Sequence, residues 1–503
     1  MAAASLDDSN KAATSHTEIS NGAPNHAAPE KFGESTVVLD PKAEARLRMK
    51  LDFMIVPTVS LLYLFCFIDR ANIGNARIAG LENDLGLKGY DYNALLSVFY
   101  ISYVLFEIPS NVMCKWIGPG WFIPGISLCF GAISIATAFV QNFSQAAGVR
   151  FLLGVFEAGM LPGIAYYLSR WYRRAELTFR LSLYIVMAPL AGAFGGLLAS
   201  AILTLPHFGS LTSWRMIFAI EGIVTCGLAI ISFFTLTDRP ETARWLSREE
   251  RELAAARIRS ERVATTEVLD RMDKKKLLQG ILSPVTLSTA ACFLLNNITV
   301  QGLAFFAPTI VRTIYPTQTT VMQQLLTVPP YAVGAFFTLF IPLLSWRFDR
   351  RQIFLILCAP LVIVGYAIFL GTLDASPRYA ATFLLSSSLF AVGPLSNSQV
   401  SANVVSDTAR SSAIGLNVMC GNLGGLIATW SYLPWDGPRY PIGNGLNLAA
   451  TAATLIIATA TLFWMKRDNK VRERRNAEEE LAGMSLQEIQ DLDWRHPDFR
   501  WKP

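Results

Sequence analysis

Apolar and polar positions fall along this chain in long blocks. The first block, Leu51 to Ile68, runs from a basic flank (Arg46, Arg48, Lys50) into the adjacent charges Asp69 and Arg70. Further apolar runs lie near 92–112, 119–139, 148–168, 181–204 and 214–236. A polar stretch interrupts at 238–283, and six more runs follow near 285–311, 322–345, 353–372, 379–401, 411–431 and 445–465. A helix of about 20 residues spans the hydrocarbon core of a bilayer, which accounts for the run length. The pattern predicts an all-α membrane protein with twelve transmembrane helices in two pseudo-symmetric six-helix halves. Residues 51–237 form the first bundle and 284–465 the second, joined by a cytoplasmic linker at 238–283. Residues 1–50 read as a disordered cytosolic tail, rich in Ala, Ser, Asn, Thr and Pro and without the apolar core of a signal peptide. Residues 466–503 form a second cytosolic tail.

Composition agrees with this picture. The chain is 52% hydrophobic and only 16% charged, against about a quarter charged in soluble domains. Lys and Arg cluster between helices 4 and 5 (Arg170, Arg173, Arg174, Arg180), between 8 and 9 (Arg347, Arg350, Arg351) and after helix 12 (Lys466, Arg467, Lys470, Arg472). That bias predicts cytoplasmic termini and linker. The linker carries a capping signature, Ser247 followed by Glu250, ahead of a charged helix. The basic residues flank apolar segments, so no nucleic-acid face is expected. Seven cysteines stand singly in or beside apolar runs, which fits neither a disulfide framework nor a metal site. The chain also has no nucleophile–base set or phosphate loop, so neither an enzyme nor a cofactor is expected. Two six-helix halves around a midplane cavity point to transport, with the lipid bilayer as the surrounding partner and a monomer as the expected state.

Charges at membrane depth are costly and mark function. They are Asp69, Arg70, Glu107, Arg150, Glu157 and Glu221, all in the first half. The four histidines lie in tails or loops, so any proton coupling falls to carboxylates. Glu157 sits midway along helix 4, and Arg150, seven residues earlier on the same helical face, supplies a nearby guanidinium. Burial favours a neutral carboxyl and a neighbouring cation favours a charged one, so proton affinity at such a site can change as helices rearrange. Asp69 and Arg70 diverge by about 100° on a helix. Arg70 is therefore expected in the cavity, where its planar fork can take a carboxylate, with Asp69 turned to a neighbouring helix. Asp69 and Glu157 are the proton-coupling candidates. Arg150, Glu107 and Glu221 read as structural. The second half offers uncharged polar groups, among them Asn296, Asn297 and Gln301 on helix 7 and Asn403 at the end of helix 10.

Five stretches are familiar: FIDRANIGNA (67–76), YVLFEIPSN (103–111), RFLLGVFEAGMLPG (150–163), SWRMIFAIEG (213–222) and TDRPETARWLSREER (237–251). Together they resemble the anion:cation symporter family of the major facilitator superfamily, nearest to its fungal branch of allantoate and nicotinate permeases. The resemblance implies proton coupling and anion binding at Asp69, Arg70 and Glu157. It also implies pocket roles for Tyr103 and Asn403, with Asn297 as a further substrate-binding candidate. The loop between helices 2 and 3 has Lys115 where the superfamily usually has an aspartate, whereas the second-half copy keeps Asp349 and Arg350 as gating candidates. The expected activity is proton-coupled uptake of a small organic anion, such as nicotinate, allantoate or a related monocarboxylate, across the plasma membrane. A proton antiporter exporting an acidic metabolite is the alternative, and a non-transporting nutrient receptor a remote one.

Overall fold

The computed structural model describes residues 40–207, 209–262, 274–405, 407–484 and 492–503. The disorder expected of the first 39 residues lies outside the described residues. Among the described residues, twelve helices are long and apolar enough to cross a bilayer: α1 (Pro41–Asp84), α2 (Asp91–Ile117), α3 (Pro119–Thr137), α4 (Phe143–Ser169), α5 (Leu183–Leu203) and α6 (Trp214–Thr235) in the first half, then α7 (Pro284–Ile314), α8 (Thr320–Phe348), α9 (Arg351–Gly371), α10 (Ala375–Ala402), α11 (Ala409–Ala428) and α12 (Pro441–Arg472). Large apolar side chains such as Phe53, Leu105, Phe234, Phe336 and Phe463 point outward and exposed. A soluble protein would not tolerate so many, but lipid is their natural solvent.

The pairing of helices repeats with a shift of six. In the first half α1 packs on α5, α2 on α4 and α3 on α6; in the second, α7 packs on α11, α8 on α10 and α9 on α12. The halves meet where α5 crosses α8 and α2 crosses α11, with α1 against α7 between them. Small residues permit these approaches, because packing between membrane helices relies on close contact and not on water exclusion. A Cβ on Gly424 would overlap the carbonyl oxygen of Leu294 in α7, and one on Gly74 would stand 2.5 Å from the Phe305 oxygen.

Residues 40–50, the described parts of the linker and residues 492–503 share one side, here the terminal side. Polar ties between the halves run from the far side to about mid-depth: Asn93 donates to the Thr429 carbonyl at 2.6 Å, Trp430 to Ser97 at 2.9 Å, Gln324 to the Asn75 carbonyl at 3.4 Å and Asn422 to Glu107 at 2.9 Å. The halves are thus fastened at the far side.

One expectation needs correction. Residues 41–50, taken as tail, are helical and continuous with α1, because Asp40 caps the helix and Pro41 opens it. This N-terminal stretch is also tied down, with Glu44 accepting from Arg173 and Arg257 at 2.9 and 3.0 Å and Lys50 reaching Glu250 at 2.6 Å. The reciprocal Ser247/Glu250 cap forms as its spacing implies, at 2.8 and 3.2 Å. Partial burial pushes the Glu250 carboxyl up, but the Lys50 ammonium and the Ser247 N–H outweigh it and hold the group below the usual range. The end of the 466–503 tail is likewise built into the second half. Trp501 is 2% exposed, its indole donates to Asp468 at 2.7 Å, and it packs with Trp494, Phe499, Val285 and Met465.

Candidate functional site

α4 is broken at the residue that matters most. Its first segment ends at Glu157, and a second begins at Met160. Pro162 has no N–H for the carbonyl four residues back, Ala158, so regular helix cannot run through. A Cβ on Gly159 would overlap Ser110, so glycine lets the break press against α2. α10 breaks in the corresponding place, at Phe390–Ala391, four residues before Pro394.

The break sets Glu157 against Arg70 of α1. Arg70 donates from Nε and Nη2 to Glu157 Oε2, at 3.1 and 2.9 Å. Glu157 is wholly buried and Arg70 6% exposed, and the other carboxylate oxygen, Oε1, has no hydrogen-bond partner. The guanidinium is also wrapped in rings, 4.7 Å from the centroid of Phe67, 5.1 Å from Phe99 and 5.0 Å from Tyr103. Aromatic faces partly replace water around a buried cation, by about 0.5–2 kcal/mol per contact. Arg70 lines a crevice between the halves, with Phe67, Ala188 and Gly192 on the first-half wall and Gln301, Tyr331 and Phe390 on the second. The crevice has a volume of about 20 Å³, room for a water molecule and too little for an organic ion. Admission of a solute requires the halves to move.

Asp69 turns the other way, into the first bundle. Its Oδ1 accepts from the Ser134 hydroxyl at 2.5 Å, while Oδ2 has no partner. Arg150 and Glu221 are buried in the same region, close enough to interact with Asp69 electrostatically. The Arg150 guanidinium sits 5.6 Å from the Phe218 ring. Neither Glu221 oxygen has a hydrogen-bond partner. The guanidinium that binds Glu157 is therefore Arg70, from another helix, and not its helix neighbour Arg150.

The remaining candidates separate. Tyr103 joins the site through its ring beneath Arg70. Glu107 lies on α2 between the halves and accepts from Asn422. Asn297 turns back to the Phe293 carbonyl at 3.3 Å and packs against Gly421 of α11, outside the crevice lining. Asn403 is displaced from the expected pocket to the terminal end of α10. There its amide donates to the Lys502 carbonyl at 3.1 Å and accepts from the Lys502 N–H at 2.8 Å. It holds the C-terminal tail. Asp349 caps α8 in the left-handed region (φ 50°) and pairs with Arg351 at 3.0 Å, leaving Arg350 exposed at the helix junction. In the first half the corresponding acid comes from Asp238, whose carboxylate lies against Gly118 and meets Arg170 at 3.3 Å. Gln301 enters the crevice, although in the sequence it is one polar residue among several. Among the described residues, no cluster of three or more His, Cys, Asp or Glu could hold a metal ion.

The family model of the Major Facilitator Superfamily matches residues 59–429. The chain belongs to this superfamily. An uncharacterised transporter of Schizosaccharomyces pombe is 32% identical over 87% of this chain and 89% of its own. A high-affinity nicotinic acid transporter of Saccharomyces cerevisiae is 29% identical over 91% and 85%. Among solved structures, a bacterial homologue of the human lysosomal transporter Spinster, in an inward-facing and unoccupied conformation, superposes with a TM-score of 0.62. That match covers 84% of this chain and 96% of the other at 15% identity, and shows a shared fold. The protein is accordingly a twelve-helix membrane transporter of small solutes, not an enzyme.

Proposed function

We propose that this protein is a proton-coupled symporter for a small organic anion, a monocarboxylate of the nicotinate or allantoate kind, working inward across the plasma membrane with its terminal side in the cytosol. The observation that carries this reading is the buried Arg70–Glu157 pair at the crevice between the halves. While Glu157 is ionised, its carboxylate occupies the Nε and Nη2 donors of Arg70. A proton on Glu157 removes that competitor, and the same two donors can take a substrate carboxylate as a bidentate pair. Proton and anion then enter together. Loss of the proton to the cytosol restores the internal pair and expels the anion. Asp69, whose Oδ2 is unpartnered, is the second proton-binding carboxylate in this scheme. Similarity to a nicotinic acid transporter supports an anionic substrate.

The test is equilibrium binding of labelled nicotinate to purified protein as a function of pH, in wild type and Glu157→Gln. Binding by wild type should tighten as pH falls, and binding by the variant should be insensitive to pH at the wild type's acid-side affinity. Equal pH dependence in both would remove Glu157 from the mechanism.

A further inference from the structure

The walls of the crevice say more about the solute than Arg70 does. On the first-half side they are made largely of small residues, Ala71, Ala188 and Gly192, and on the second-half side of Tyr331 and Phe390. The rings of Tyr331 and Phe390 lie 5.9 Å apart. A Cβ on Gly192 would come within 2.6 Å of the Tyr331 ring, so the two walls close into a thin slot. Tyr331 spends its hydroxyl on the Leu303 carbonyl, at 3.2 Å, and presents the slot with a ring face.

Apart from Arg70, one side chain on these walls is an amide, Gln301 of α7. It is 8% exposed, and its Oε1 is buried without a hydrogen-bond partner. A buried amide oxygen left open beside this crevice is available to accept from a donor on a ligand. A carboxylate held at Arg70 would direct the rest of its molecule along this slot. Ureido or polyhydroxylated acids would bring several polar groups against ring faces with no partners, which is unfavourable. Aromatic acids would bring a face that stacks.

Resting on the anion reading above, we infer that the substrate is an aromatic monocarboxylate carrying one further hydrogen-bond donor on its ring, and that the Gln301 Oε1 accepts from that donor. Arg70 therefore sets the charge of the substrate and Gln301 its ring substituent.

The experiment is competition binding on purified full-length protein with benzoate, nicotinate, 3-hydroxybenzoate, allantoate and the uncharged nicotinamide. Wild type should bind 3-hydroxybenzoate about ten-fold or more tightly than benzoate or nicotinate, whose ring nitrogen only accepts, with allantoate weaker than any ring acid. In Gln301→Leu, and in Gln301→Met, which keeps the side-chain length, that preference should shrink to less than about two-fold. Allantoate binding as tightly as the ring acids would overturn the slot argument and leave the anion reading standing. A preference unchanged in both variants would overturn the role of Gln301. Nicotinamide binding as tightly as nicotinate would instead overturn the Arg70–carboxylate reading, and failure of every ring acid to bind would overturn the aromatic assignment.

Discussion

Arg70 is a single guanidinium that in our account serves two carboxylates in turn, one from Glu157 and one from the solute. Such a pair has a stability consequence separate from transport. Removing one partner leaves the other charge buried, at about 3–5 kcal/mol, whereas replacing both by apolar groups is often neutral. Arg70→Met should therefore lower thermal stability markedly, and Arg70→Met with Glu157→Leu should recover most of it while transport stays abolished. Melting curves of the purified variants check this, and a double variant as unstable as the single one would show that the pair is not an isolated unit. The members of this pair were legible in the chain because charge inside an apolar run is conspicuous. Their pairing was not: spacing relates Glu157 to Arg150 on one helix, and only the packing of α1 against the broken α4 brings Arg70 closer. Gln301 could not be singled out from Asn296 and Asn297, since their helical phase relative to the crevice depends on how α7 packs.

Single helices here owe their shape to prolines and glycines at matched positions. Pro162 and Pro394 break α4 and α10 at corresponding places, with Glu157 buried behind Arg70 on one side and Phe390 lining the crevice on the other. Apolar runs announce the helices well, but a run does not reveal where a proline will interrupt it usefully. The C-terminal tail shows the same limit. Nothing in its polar approach marks it as structured, yet Trp501 fills a pocket between α7 and α12, and Lys502 occupies Asn403. Asn403, expected in the pocket, is instead hydrogen-bonded to a backbone segment some 99 positions later. Trp501→Ala should cost about 3–5 kcal/mol in stability, as for a large buried side chain, and expose the tail to limited proteolysis. An unchanged melting temperature and an uncut tail would mean that the tail is held by its hydrogen bonds alone.

At the scale of the whole molecule, the halves are fastened at the far side and repeat each other's helix pairings, the arrangement that lets one bundle rock against the other. Asn93 and Thr429 mark the fastening. A disulfide between Asn93→Cys and Thr429→Cys, in a background lacking the seven free native cysteines, should lock that side shut and stop transport, with recovery on reduction. Transport that continues while cross-linked would show that this seam need not open. In the proposed cycle anion and proton move together through Arg70 and Glu157. This coupling is tested most directly by reconstituting the protein in liposomes and recording internal pH as nicotinate is added outside, for wild type and Glu157→Gln. Acidification beyond that of protein-free liposomes is expected in wild type and none in the variant, which still binds the anion. Equal carrier-mediated nicotinate entry in both, without proton flux, would contradict it.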